Sequence, residues 1–153
     1  MAKKVWIKVR GTQTSPPGED GGEVELITEG TYSFRNGTHF LAYDESEATG
    51  MAGTRTTIRV GENGVIVHRT GAINTEMQFE PGSVSHASYD TGFGVINMNT
   101  YTNKVFVDID AAKGGDISVE YRVEMDNRHG FDNRFSIAFK FGKPAEMLRE
   151  KLN

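Results

Sequence analysis

Apolar residues recur at every second position along most of this chain, and that periodicity restricts it to β-structure. The segment TRTTIRVGENGVIVHRTG, residues 54–71, shows the pattern most plainly. Two alternating runs flank the tight-turn pair Asn63-Gly64, so the segment reads as a β-hairpin. Any loop with an even number of residues puts Thr56, Ile58, Val60, Val65, Val67 and Arg69 on one face. Ile58, Val60, Val65 and Val67 are β-branched aliphatics, which marks that face as the buried one. Arg69 therefore stands where a core residue is expected.

The same alternation appears from one end of the chain to the other. Val5, Ile7 and Val9 alternate with lysines and Trp6; Ile117, Val119, Tyr121, Val123 and Met125 alternate with polar residues. Phe131, Phe135, Ile137, Phe139 and Phe141 share a face in the last run. About ten such runs occur, at the spacing of a sandwich or barrel. They make one all-β domain over 1–153, with barrel strands over about 3–141. Only KPAEMLREKLN reads as helix, a short C-terminal one over 144–152 with Pro144 in its first turn.

The connections divide into two kinds. Asn36-Gly37, Asn63-Gly64 and Pro81-Gly82 mark tight hairpins, whereas 11–22 and 46–53 are long and rich in glycine. In an antiparallel up-and-down meander every second connection falls at the same end. The tight turns then close one end, and the loops 11–22, 46–53, 71–74 and 90–92 gather at the other. That arrangement is a cup-shaped barrel with a mouth.

Composition removes several classes of function. At 153 residues, with 37% hydrophobic and 25% charged residues, the chain matches a globular domain with a substantial core. No apolar run approaches the roughly 20 residues that span a bilayer, and MAKKVWIKVR enters a strand pattern with no apolar signal core. A cytoplasmic location without membrane association is expected. There are no cysteines, so disulfides, thiolate metal sites and cysteine nucleophiles are excluded. The net charge is −4, and the one basic stretch (Lys3, Lys4, Lys8, Arg10) reads as an edge strand rather than a nucleic-acid surface.

The ordered set FLAYDE, TTIRV, VIVHRTG, MQFEPG and YDTGFGVINMNT resembles the YwiB-like family of small bacterial proteins, over roughly residues 23 to 141. That resemblance implies a calycin-type, lipocalin-like β-barrel and supplies no activity. The runs outnumber the eight strands of a simple calycin barrel, so either some are halves of one bent strand or the barrel is larger.

At the mouth, the Asn36-Gly37 hairpin places Tyr32, Phe34, His39, Leu41, Tyr43 and Glu45 on one face. Glu45 ends its strand, Thr56 lies near the start of the next, and Arg69 ends the one after; all three point inward at the loop-rich end. A buried guanidinium needs a carboxylate or several acceptors. Glu45 is the nearest partner, with Tyr43 and Tyr89 as hydrogen-bonding neighbours. Either Arg69 and Glu45 form a salt bridge that closes the barrel end, or Arg69 snorkels to water, or it binds the acid group of a ligand bidentately.

Histidines 39, 68, 86 and 129 lie on different runs without zinc-site spacing, and Asp108 and Asp110 read as the polar face of a strand. No metal or cofactor is expected. The leading expectation is a non-catalytic barrel binding a small amphipathic or anionic molecule. Arg69 anchors it, Glu45 and Tyr43 orient Arg69, Thr56 and Tyr89 lie alongside, and Phe34, Ile58 and Val67 supply the apolar wall. The alternatives are a structural module with a side-chain-filled barrel that forms a homodimer, and an enzyme with an inward carboxylate or histidine as base.

Overall fold

The alternating runs become ten separate antiparallel strands: β1 (Lys3–Thr14), β2 (Gly22–Arg35), β3 (Thr38–Asp44), β4 (Thr54–Gly61), β5 (Gly64–Gly71), β6 (Thr75–Phe79), β7 (Val84–Asp90), β8 (Val95–Asp110), β9 (Gly114–Met125) and β10 (Phe131–Lys140). The computed structural model describes residues 2–14, 22–47, 50–72, 74–90, 93–125 and 130–141, with the backbone alone at 13, 14, 89 and 90. The helix expected over 144–152 lies outside the described residues.

The strands form a single sheet in the order β6-β5-β4-β3-β2-β1-β10-β9-β8-β7. Chain neighbours are sheet neighbours throughout, as in a meander, with one exception. The first and last strands pair along their length, from Trp6 opposite Lys140 to Thr14 opposite Asp132. The ring stays open between β6 and β7 instead, where the ends of the sheet approach without a ladder. The result is a nearly closed ten-stranded barrel, larger than an eight-stranded one, and none of its strands is the half of another.

That seam corrects the hairpin expected at Pro81-Gly82. Proline has no N–H to give to a ladder. The Gly82 N–H donates to the Thr102 carbonyl at 3.1 Å, and the Thr102 N–H donates to Ser83 at 3.1 Å. The turn is thus tied to β8 rather than closing β6 onto β7. The other two tight turns hold. Asn36 and Gly37 have φ of 52° and 79°, the left-handed pair that a two-residue hairpin of matching twist requires. In the next hairpin Gly61 pairs with Gly64, so the loop residues are Glu62 and Asn63, one position earlier than the sequence suggests. The loop length is still even, so the facing set is unchanged.

Inside, three side-chain layers fill the barrel from the tight-turn end upward. At the bottom Tyr32 stacks on Phe139 with centroids 4.9 Å apart, Phe141 meets it edge-on, and the Tyr32 hydroxyl bonds His39 Nδ1 at 2.7 Å. Above lies an aliphatic layer that includes Ile7, Leu41, Ile117 and Ile137, all fully buried. The third layer is aromatic: Phe79 packs on Tyr121 at 4.7 Å and on Phe135 at 5.4 Å between centroids. Each large side chain buried in this way contributes about 1.5–3 kcal/mol. The interior is therefore packed through the Phe79–Tyr121–Phe135 layer; among the described residues, cavities lie above it at the loop-rich end and, beside Val65 and Phe79, at the tight-turn end.

Candidate functional site

Strand register builds the site. Tyr43 on β3 lies opposite Thr56 on β4, Thr56 opposite Arg69 on β5, and Arg69 opposite Thr75 on β6. Because faces alternate with period two, these four side chains form one inward row across four strands. Ile58, Val67 and Met77 are the next inward residues below it, so the row caps the core. Glu45 continues the inward face one step beyond Tyr43, and its N–H donates to the Thr54 carbonyl at 2.8 Å, which extends the ladder into the loop. Gly71 allows the loops above Arg69 to meet: its φ is +119°, and a Cβ there would sit 2.3 Å from the Gly53 carbonyl oxygen.

The row is rich in unmet hydrogen-bonding capacity. Among the described residues, both carboxylate oxygens of Glu45, the hydroxyls of Thr56 and Thr75, and Nε of Arg69 are buried with no hydrogen-bond partner. Buried polar atoms are normally paired, so this concentration is unusual. The salt bridge expected between Arg69 and Glu45 is not closed: Arg69 is absent from the ion pairs within 4.0 Å among the described residues. One reason is the register, which puts Thr56 directly beside Arg69 and leaves Glu45 a step further on, just past the end of β3. The two charges still act on each other at longer range.

Burial pushes the Glu45 carboxyl above its ordinary range, and the nearby Arg69 charge opposes that rise. The neighbouring Tyr43 and Thr56 hydroxyls temper it further. Burial likewise raises the Tyr43 phenol, which Glu45 raises further and Arg69 lowers. Tyr121 is raised by burial against the same Arg69 charge. Arg69 is thus the cation felt by the polar groups on both walls of the mouth.

Arg69 also divides the free space. With Tyr121 on β9 and Asn133 on β10 facing it, it lines two adjoining cavities that share these three residues and Met51. One, of about 380 Å³, lies toward β1–β4 and has walls of Tyr43, Ile58, Val67, Phe135 and Ile137. The other, of about 370 Å³, lies toward β6 and β8 and has walls of Met77, Met98, Met125, Ile96 and Phe131. Asn133 is held in place by donating its Nδ2 to the Phe131 carbonyl at 2.9 Å.

The expected site residues are only partly brought together. Arg69, Tyr43, Ile58 and Val67 line a common cavity. Thr56 adjoins Arg69 in the row, and Glu45 stands beside Tyr43 but outside the lining of both cavities. Phe34 is a correction: it lies beside the Asn36-Gly37 turn, at the opposite end of the barrel, half exposed and packed on His39 at 4.7 Å. It shares a face with Tyr43, but strand length separates the two. Tyr89 is opposite Ile96 in the β7–β8 ladder, and its side chain is outside the described part. Sequence reasoning passed over Tyr121, Asn133, Thr75 and the methionines. Asn133 carried the same signal as Arg69, a polar residue at the apolar parity of its strand.

The remaining candidates are spread over the surface. His68 lies 3.5 Å from Glu76, which also takes a bond from Arg59 at 2.9 Å, an outward cluster. His86 bonds to Asn99 across β7 and β8. His129 is outside the described residues. Asp110 Oδ1 accepts from the Ala112 N–H at 2.8 Å, and so stabilises the β8–β9 turn. No helix among the described residues is long and apolar enough to cross a membrane.

Fold and site together define a class: an antiparallel β-barrel with a packed interior and a cation set between two cavities toward its loop-rich end. The chain belongs to the family described as "Domain of unknown function (DUF1934)", whose profile matches residues 7–137. It is 29% identical over 130 residues to the "Uncharacterized beta-barrel protein YwiB" of Bacillus subtilis (strain 168), covering 83% of this chain and 89% of that one. The crystal structure of the B. subtilis ywiB protein superposes with a TM-score of 0.79 over 93% of this chain and 94% of the other, at 23% identity. The match to that structure establishes the shared barrel fold.

Proposed function

We propose that this barrel is a non-catalytic binding protein that takes a small anionic or amphipathic molecule at its mouth, with Arg69 as the anchor. The observation that carries the reading is the Arg69 guanidinium, its Nε buried without a partner among the described residues and its side chain set between two cavities. A buried donor left unpaired costs about 1–3 kcal/mol, and an acid group bound in the cavity supplies the missing acceptor. Thr75, next in the row with its own unpaired hydroxyl, is a second donor. Tyr43, Ile58 and Val67 form the apolar wall, and the Glu45 carboxyl beside Tyr43 acts on the guanidinium at longer range without neutralising it.

The test is calorimetric titration of the protein with monohexyl phosphate, beside Arg69→Leu. Binding is expected for the native chain, weakened about tenfold or more in the variant, the range of a lost charge-assisted bond. No binding to the native chain, or equal affinity in a variant with an unchanged circular-dichroism spectrum, removes the anchor.

A further inference from the structure

The second cavity has a lining of its own kind. Of the six methionines in the chain, Met51, Met77, Met98 and Met125 converge on it, from the β3–β4 loop and from β6, β8 and β9. Met98 and Met125 are direct partners across the β8–β9 ladder. Thioether sets suit Cu(I), but the Arg69 guanidinium lies in the same wall and opposes a cation. The methionines are better read as an apolar lining. With three rotatable bonds each and a polarisable sulfur, they adapt to guests of varied shape. The first cavity shares only Met51 of these; apart from Arg134 at its edge, its own large walls are Tyr43, Ile58, Val67, Phe135 and Ile137, β-branched or aromatic side chains that hold few rotamers.

Arg69, Tyr121 and Asn133 line both cavities and stand between the stiff lobe and the soft one. An acid group held there has apolar space on either side. A molecule with a terminal acid fills one lobe and leaves the other open, whereas one with an internal acid fills both. Resting on Arg69 as the anchor, we infer that the ligand is a monoanion carrying two apolar arms, such as a diester of phosphoric acid, with its flexible arm in the methionine lobe.

Dihexyl phosphate and monododecyl phosphate carry the same number of carbons in two arms and in one, and they separate the possibilities. Dihexyl phosphate is expected to bind at least about tenfold tighter, since each buried methylene adds roughly fourfold when its lobe is accessible. In protein labelled with 13C at the methionine methyls, the Met77 and Met98 signals should shift with dihexyl phosphate and stay in place with inorganic phosphate. Equal affinity for the two probes, or Met77 and Met98 signals that do not move, overturns the two-armed ligand while leaving the anchor intact. Failure of both probes to bind, or binding unaffected by Arg69→Leu, overturns the anchor and this inference with it.

Discussion

Arg69 and Glu45 occupy inward positions that strand parity assigns to core residues, and the barrel keeps both without closing them into an ion pair. The consequence for Glu45 is a pH dependence of stability. Burial raises its folded pKa above that of the unfolded chain. Over the interval between the two values the folded state keeps a proton that the unfolded chain has released. Its contribution is therefore fully present below the unfolded value and is lost as pH rises through the folded one. Glu45→Gln keeps the shape and removes the charge. It is expected to raise the melting temperature near neutral pH, because the charge that burial disfavours is gone. Below the carboxylate range, where both side chains are neutral, it should do almost nothing. Thermal melts at the two pH values check this, and an equal effect at both contradicts it. At this scale the sequence was informative about direction but not about contact. Parity shows that Arg69, Thr56 and Glu45 point inward, but parity is indifferent to one step along a strand, and that step keeps Glu45 from Arg69.

Among the elements, β8 departs furthest from simple alternation. A bulge at Asn103 breaks its register with β9, which steps from Thr102 opposite Tyr121 to Lys104 opposite Glu120. Before the bulge Ile96, Met98, Thr100 and Thr102 turn inward; after it Val105 and Ile109 do. One extra residue thus lets both halves of a long strand present apolar residues to the same core. Deleting Asn103 reverses one half and exposes its core face. That variant is expected to lose its near-ultraviolet circular dichroism and cooperative melting, whereas Asn103→Ala, at an exposed site, should stay within about 0.5 kcal/mol of the parent. A deletion variant as stable as the parent argues against the bulge as the device that sets the face. The run VFVDI hides this switch, because Val105, Phe106 and Val107 are consecutive apolar residues with no visible parity. β3 teaches the complementary lesson: Phe34 and Glu45 share a face across its hairpin yet lie at opposite ends of the barrel.

For the whole molecule the telling feature is where the ring closes. The first strand sits inside the sheet, paired on both sides with β2 and β10, and the discontinuity falls between β6 and β7. Strand edges without ladder partners open most readily. Hydrogen exchange is expected to be fastest at the β6 and β7 amides that face the seam and slowest along β1 and β10. Uniform protection, or faster exchange in β1 than in β6, contradicts an open seam. The same seam borders the methionine lobe, since Met77 lies on β6 and Met98 on β8.

The sequence by itself determined the class, the approximate strand number, the inward set on most strands and the separation of a tight end from a loop-rich one. All of these follow from local rules: period-two alternation, turn chemistry and the even length of hairpin loops. Only the tertiary structure decided that β1 pairs with β10, that β6 and β7 part, that two cavities meet at Arg69 above the aromatic layer, and that Tyr121 and Asn133 face Arg69 across the barrel. Those depend on pairings between residues far apart in the chain, and on which side chains meet across the interior. No local pattern encodes either.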